Sequence, residues 1–424
     1  MKKEQRRIEV WAHWAPLPQP VFVGILYASP SRGKEIFSFE YSPDWLKNTC
    51  AQSFDPSLEL YKGLQYAPQG KENFGVFLDS APDRWGRILM RRREAQAARE
   101  EKRKERVLHE SDYLLGVYDG HRMGALRFRT ASDGPFLDDN TELAVPPWTS
   151  LRELEHASLE LEKNGAEKNR DYGKWLRMLM APGASLGGAR PKAGIIDEKG
   201  GLWIAKFPSA HDEVDSGAWE KVIHKLAMQC RIETSESLSR TFGSRHHTFL
   251  TRRFDRTETR ERIHFASAMT LLQRSDGDDA STGASYLELA EFIIRQGAEP
   301  NHDLEELWRR IIFFICTSNA DDHLRNHGFL LSPTGWRLSP AYDMNPVPAA
   351  NGLRLNISET DNAQNLELAR EIAPFFRVKS GRVTEIIKQV TTQVRSWRKI
   401  AKTLRISAGE IDRMARAFRI AEEV

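Results

Sequence analysis

Midway along the chain, the segment Gly183-Ala-Ser185-Leu-Gly187-Gly188-Ala189-Arg190-Pro191-Lys192 places three glycines and a proline within ten residues. A stretch of that composition reads as a turn rather than the interior of a helix or strand. Two strand-like runs follow, Ala193 to Asp197 and Leu202 to Phe207, then a helical stretch from about Glu213 to Gln229. Further strand-like residues appear at Thr248 to Phe254 and Arg262 to Phe265. From Tyr286 onward the pattern is mainly helical, interrupted at Asn326 to Leu331 and Trp336 to Leu338. Turn, hairpin, helix, strands and then a helical half confine this part to an α+β arrangement.

The preceding part is β-rich. Val10 to Ala15, Pro20 to Ala28 and Glu35 to Tyr41 are short β-branched or aromatic runs divided by Pro, Ser and Gly. A looser stretch surrounds Gly63 to Gly70, and Ala81-Pro82-Asp83 opens a long helix to about Glu105. Arg84 to Arg106 holds ten basic and four acidic residues, which suits either a phosphate- or partner-contacting face or a solvated helix laced with i,i+4 charge pairs. Gly124 to Arg129 reads as a closing strand and Thr130 to Pro147 as a linker. Ser150 then starts a helix as its cap, with Glu153 completing a capping box. These signals divide the chain into residues 1–140, 141–265 and 266–424.

Composition narrows the function. At 424 residues the chain is long enough for two or three domains. The balance of 62 basic and 59 acidic residues gives no bulk charge to drive nucleic-acid binding, so any such contact needs a local patch. Cys50, Cys230 and Cys316 are far apart and form neither a disulfide framework nor a zinc knuckle, which points to a reducing cytoplasm. No apolar signal core follows Met1, and Ile311 to Cys316 is too short to span a bilayer, so no membrane partner is expected.

The chemistry concentrates in Asn319-Ala-Asp321-Asp322-His323-Leu-Arg325-Asn326 and Ala341-Tyr342-Asp343-Met344. Phosphoryl transfer from ATP needs a carboxylate to orient and deprotonate the acceptor hydroxyl, and oxygen ligands for Mg²⁺. In protein kinases a base Asp precedes a Mg²⁺-binding Asn by five residues, and a second Mg²⁺-binding Asp follows. Asp321 and Asn326 have the five-residue spacing, and Asp343 follows Asn326 by seventeen. An isolated Asp and Asn would read as turn or cap residues. Lys206 changes that reading. It lies late in the apolar run Leu202-Trp-Ile-Ala-Lys206, where a lone ammonium is costly unless it meets an anion. The glycine-rich segment lies about twenty residues before Lys206, and in kinases such backbone N–H groups cover the phosphates that the lysine contacts. Glu220 on the next helix is either the group that orients Lys206 or an exposed helix acid.

Two lookalikes fail. Ala189 stands where a Walker A loop needs its lysine, and Leu324 stands where His323 and His327 would need a glutamate for zinc-protease chemistry. His246-His247 reads as a surface pair.

Ser185 to Lys192, Lys206, Arg253-Phe254-Asp255-Arg256, Asn319 to Asn326 and Tyr342-Asp343 together resemble the successive motifs of HipA-type toxin kinases. The stretches Phe77-Leu-Asp-Ser-Ala-Pro-Asp-Arg-Trp85-Gly86 and Met123-Gly-Ala-Leu-Arg-Phe128 resemble that family's preceding domain. The resemblance implies a protein-kinase-like two-lobed fold with a mainly helical C-terminal lobe, preceded by a small β-rich N-terminal domain. It implies a serine/threonine protein kinase using ATP and Mg²⁺, with Asp321 as base and Asn326 and Asp343 as metal ligands. Gly187, Gly188, Ala189, Arg190, Pro191 and Lys192 would cover the phosphates and Lys206 would contact them. Arg252, Arg253 and Phe254 would form the hinge, and His323 and Tyr342 would line the nucleotide site. Ser185 falls where the family autophosphorylates its own loop. The implied partners are a small DNA-binding, HipB-like antitoxin, with DNA met mainly through it, and a protein substrate such as a translation component. Asp322 departs from the family's frequent Gly, Arg325 from its usual Lys, and Arg252 from its common acid. A catalytically weak co-repressor or scaffold, and a kinase for a small molecule or lipid, are the competing readings.

Overall fold

The β-branched and aromatic runs of the N-terminal part pair as antiparallel strands, because each presents apolar side chains to one face at every second position. In this computed structural model, which describes residues 5–15, 17–137, 146–180, 188 and 190–423, they are β1 (Arg6–Ala12), β2 (Val21–Ser31) and β3 (Lys34–Tyr41). Two shorter strands, β4 (Leu64–Tyr66) and β5 (Leu126–Arg129), complete a sheet of order β4-β3-β2-β1-β5. β1 begins earlier than the apolar pattern suggests, and β4 arises in the stretch read as loose. β4 is only three residues long, too short to show a periodicity. The expected division near residue 140 falls outside the described residues.

The long basic helix spans Arg84–Glu100, capped by Asp83, whose Oδ1 accepts the Gly86 N–H at 2.7 Å. Of the arginines from Arg84 to Arg106, Arg84, Arg91, Arg93 and Arg99 are exposed and others make longer-range contacts. Arg87 binds Glu110 at 2.5 and 2.7 Å, Arg92 donates to the Leu161 carbonyl at 2.6 Å, and Arg103 and Arg106 close on Glu94. These are tertiary ties rather than i,i+4 pairs. The helix Leu151–Glu162 does start at Ser150, but the capping box is absent. A 3₁₀ turn, Trp148–Ser150, runs straight into the helix and leaves Ser150 at φ −83° and ψ −3°, outside the extended conformation a capping side chain needs.

By compactness the chain forms two units: residues 1–211 with 255–266, and residues 212–254 with 267–424. The first holds the five-stranded sheet, the helices Arg84–Glu100, Leu151–Glu162 and Tyr172–Met180, and a hairpin of β6 (Lys192–Ile196) and β7 (Leu202–Lys206). Its core is a chain of aromatic contacts running through Tyr41, Phe39, Phe77 and Phe128. Residues 255–266 join it through buried charge. Asp255 accepts the Gly124 N–H at 2.8 Å and pairs with Arg256 at 2.6 Å, while Arg256 also donates to the Arg122 carbonyl at 3.1 Å. Asp119 takes Arg127 at 2.7 Å and Arg262 at 3.1 Å. The Asp-Arg of the Phe254-Asp255-Arg256 motif is therefore a structural clip in this unit.

The second unit carries the helix Ser216–Gln229, a hairpin of β8 (Ser237–Arg240) and β9 (Thr248–Arg252), and the helices Tyr286–Gln296, Pro300–Thr317 and Ser380–Val394. A hairpin of Gly328–Ser332 and Gly335–Leu338 interrupts them as expected. The stretch 339–365, however, is irregular where helix was expected to resume. Trp397 stacks on Phe418 with ring centroids 4.2 Å apart and Trp219 packs beside both, closing the C-terminal helices over this core. His246 and His247 are not a surface pair. His246 is buried, and His247 donates its backbone N–H to Asp215 at 2.9 Å and meets the same carboxylate through Nδ1 at 2.6 Å. Glu220 is likewise buried rather than exposed. No helix among the described residues is long and apolar enough to cross a membrane. The three cysteines are free, and burial pushes the Cys230 thiol up to about 12, so it stays unreactive.

Burial alone would raise the Asp119 carboxyl, but Arg262 and Arg127 outweigh it and hold its pKa below the ordinary value. Removing it strands two arginines, so Asp119→Ala should cost about 3–5 kcal/mol in urea unfolding. A depressed carboxyl stabilises above its unfolded pKa of about 3.9 and loses that effect as pH falls through the folded value. Unfolding free energies of wild type and Asp119→Asn should therefore converge in acid and separate above about pH 4.

Candidate active site

The helix Pro300–Thr317 sets the position of the loop that carries the expected base. It is buried at nearly every residue from Leu304 to Thr317, and it stops at Ser318, which adopts a left-handed conformation with φ 47° and ψ 45°. The turn is held by side chain and backbone alike. Ser318 Oγ donates to the Ala417 carbonyl at 2.9 Å, and the Ser318 carbonyl accepts the Val347 N–H at 2.9 Å. Asn319 Oδ1 accepts the Asn345 N–H at 2.8 Å. Farther along, the Tyr342 hydroxyl donates to the Arg325 carbonyl at 2.7 Å. Asp343 thus lies between two residues, Tyr342 and Asn345, that are each bonded to the loop 319–326. Its own φ of 55° is left-handed, a conformation that Asp tolerates better than most residues and that the bonds on either side of it enforce.

Within the loop, the His323 N–H returns to the Asp321 carbonyl at 3.0 Å and the Asn326 N–H to the His323 carbonyl at 2.7 Å. Asn326 Nδ2 donates to the Asp321 carbonyl at 2.9 Å. That bond occupies the donor end of the amide and leaves Oδ1 as its remaining acceptor, which is the oxygen a hard cation takes. Asp321 is exposed, Asn326 half-buried, and Leu324 between them is the apolar anchor. Among the described residues no group of three or more His, Cys, Asp or Glu side chains could hold a metal ion. The amide oxygen of Asn326 and the carboxylate of Asp343 are hard oxygen donors, the kind that suits Mg²⁺ when phosphate oxygens and water complete its shell.

Phe254 and Tyr342 are brought together, their ring centroids 5.4 Å apart and tilted by 39°, so the expected hinge and site-lining aromatics do meet. Arg253 is buried, and the Arg252 N–H donates to the Glu236 carbonyl at 2.8 Å as part of its strand. His323 Nδ1 is a buried polar atom without a hydrogen-bond partner. Arg325 forms an exposed pair with Asp276 at 3.0 Å, of little energetic weight. Asp322 does not share the exposed side of Asp321. Only 2% exposed, it points inward and accepts the Tyr286 hydroxyl at 2.6 Å and His327 Nε2 at 2.8 Å. Burial first, and the Asp322 charge second, hold the Tyr286 hydroxyl well above its ordinary pKa, so it remains a donor. Tyr286 lies far away in sequence and no local signal pointed to it, whereas His327 follows Asn326 at the same offset by which Asp322 follows Asp321.

In the other unit, β6 and β7 set Lys206 directly opposite Lys192. Two cations at facing positions repel unless one is neutralised. Lys192 is, being 1% exposed with its Nζ 2.7 Å from Asp83 Oδ2 and 3.0 Å from the Gly188 carbonyl. One carboxylate therefore caps the helix Arg84–Glu100 with one oxygen and holds Lys192 with the other, which explains why Asp83 precedes Arg84-Trp85. Trp85 Nε1 adds a bond to the Lys192 carbonyl at 3.2 Å. Gly188 has φ 101°, a value that requires glycine, and the Phe207 N–H pairs with the Pro191 carbonyl at 2.9 Å. Gly188, Pro191, Lys192 and Lys206 are thus assembled at one end of the hairpin, with Lys192 serving as an internal brace. Ser185, Gly187 and Ala189 lie outside the described residues.

A family model described as the HipA-like C-terminal domain matches residues 184–398, just over half of the chain. A protein of Haemophilus influenzae (strain ATCC 51907 / DSM 11121 / KW20 / Rd) that bears a provisional kinase name is 27% identical over 187 residues, covering 39% of this chain and 54% of that protein. The chain therefore spans about half the length of this curated relative. Among solved structures, a chain of the Shewanella oneidensis MR-1 toxin–antitoxin complex of HipA, HipB and operator DNA shares the fold. Its TM-score is 0.61 at 19% identity, over 98% of this chain and 97% of that one.

Lys192→Ala would leave Asp83 buried without its ammonium, and should lower the unfolding free energy by about 3–5 kcal/mol in denaturant titration. Lys192→Met combined with Asp83→Asn, which keeps the cap and removes both charges, should recover most of that loss.

Proposed function

Since the chain belongs to the family of the HipA-like C-terminal domain, we propose that it is a serine/threonine protein kinase dependent on ATP and Mg²⁺, and the toxin of a toxin–antitoxin pair. The observation that carries this reading is the set of bonds holding Asp343 against the loop 319–326, with Asp321 exposed on that loop. Asp321 is the base that orients the acceptor hydroxyl and takes its proton as the oxygen attacks the γ-phosphorus. Asn326 Oδ1 and the Asp343 carboxylate hold Mg²⁺, which when bound offsets charge developing on the phosphate oxygens. Lys206 contacts the phosphates as a point charge. The backbone from Gly187 to Lys192 covers them. Phe254 and Tyr342 give the adenine an aromatic wall, with Arg252, Arg253 and His323 along the same site.

Ser185 is the proposed autophosphorylation site. A phosphate there carries roughly −1.5 to −2 charge and would repel ATP from the loop. The proposed partner is a small DNA-binding antitoxin of the HipB kind, supported by the composition of the Shewanella complex, with DNA met through it. The proposed substrate is a cytoplasmic protein, a translation component such as an aminoacyl-tRNA synthetase.

Incubating the purified, unmodified chain with Mg-ATP and measuring its intact mass tests the reading. Wild type should gain phosphate, and Asp321→Ala should lose at least about 10²–10⁴-fold in rate. Chelating Mg²⁺ should stop transfer, and Ser185→Ala should lose the added mass. A wild type that gains nothing and phosphorylates no protein in a host lysate overturns it.

A further inference from the structure

Asp321 and Asn326 are each followed by a residue that points the opposite way. Asp321 faces outward while Asp322 is 2% exposed. Asn326 is half-buried, and His327 is 1% exposed. The two inward side chains bond one another, Asp322 Oδ2 to His327 Nε2 at 2.8 Å. Their bond parallels the outer one from Asn326 Nδ2 to the Asp321 carbonyl at 2.9 Å. The loop is thus closed twice, once on each side of its backbone.

The inner closure is anchored to the scaffold. Tyr286, first residue of the helix Tyr286–Gln296 and itself fully buried, donates its hydroxyl to the same Asp322 oxygen at 2.6 Å. The His327 ring is set edge-on to Tyr286, with centroids 5.8 Å apart at 86°, and lies 6.3 Å from Phe314 of the helix Pro300–Thr317. The His327 carbonyl also accepts the Ala268 N–H at 2.8 Å. Two helices and a backbone bond therefore fix the pair.

We propose that Asp322 and His327, anchored by Tyr286, are positioning residues for phosphoryl transfer that fix the separation and orientation of Asp321 and Asn326. This rests on the kinase reading. A polar pair buried in this way contributes little net stability, because desolvation offsets most of its attraction, so the effect of this one lies in the geometry it imposes. A loop that places a base and a metal ligand five residues apart must hold both within about half an ångström, and side chains locked on rigid elements do that.

The experiment compares the full chain with Asp322→Ala, Asp322→Asn, Tyr286→Phe and Asp321→Ala, measuring kcat, KM for Mg-ATP and melting temperature. Asp322→Ala should lower kcat about 10²-fold and raise KM for Mg-ATP by much less, because it displaces the base together with only one of the two proposed metal ligands. Asp322→Asn keeps an oxygen that accepts both hydrogens, and should recover kcat to within about fivefold. Tyr286→Phe removes one hydroxyl with no change of packing shape, and should show the same kcat loss in milder form even if Asp322→Ala folds poorly. Unchanged kcat in both Asp322→Ala and Tyr286→Phe, with Asp321→Ala inactive, would overturn the positioning role and leave the kinase reading standing. A wild type without transfer, or an Asp321→Ala variant as active as wild type, would overturn both.

Discussion

The helix Pro300–Thr317 is buried from Leu304 to its end, and its chain must leave the core at one fixed point. Ser318 supplies that exit through a left-handed backbone held by the Ala417 and Val347 contacts. The loop 319–326 and the segment around Asp343 hang from this exit, since Asn319 holds Asn345 and Tyr342 reaches back to Arg325. Asp343 is thereby confined next to the loop of Asp321 and Asn326. Burial of one helix thus fixes, through side-chain and backbone hydrogen bonds, the path of the loop 319–326 and of the segment 342–345.

Buried charge is handled by one rule in the two units. In the unit of residues 1–211 and 255–266, buried arginines and lysines are matched by carboxylates that also accept backbone N–H groups, as Asp83 and Asp255 do. Each such carboxylate satisfies several donors at once, which is how a buried charge becomes tolerable. In the unit of residues 212–254 and 267–424, Asp322 follows the same rule with Tyr286 and His327, while its neighbour Asp321 is exposed. Adjacent aspartates therefore divide the work, one structural and one available for chemistry.

Much of this was legible in the sequence. The hairpin of β6 and β7, the hairpin after Asn326 and the order of elements followed from glycine placement and β-branched runs. The spacing of Asp321, Asn326 and Asp343 singled out the loop. Contacts between residues distant in sequence were not legible. Nothing local to Lys192 says that its ammonium meets Asp83. His246-His247 looked exposed because the bond to Asp215 joins residues more than thirty positions apart. Ser150 looked like a cap because the composition fits; the 3₁₀ turn before it changes its backbone, which composition does not reveal. The irregular stretch 339–365 escaped because it is held by isolated contacts, such as Asn362 Nδ2 to the Leu353 carbonyl at 2.7 Å, rather than by a period.

The central claim is that the loop 319–326 and Asp343 form one Mg-nucleotide site served by Asp321. Calorimetric titration of a non-hydrolysable ATP analogue, with and without Mg²⁺, addresses it most directly. The account predicts one site per chain, binding that Mg²⁺ tightens at least about tenfold, and loss of that gain in Asp343→Ala. Equal affinity with and without Mg²⁺, or a gain that survives in Asp343→Ala, would contradict it.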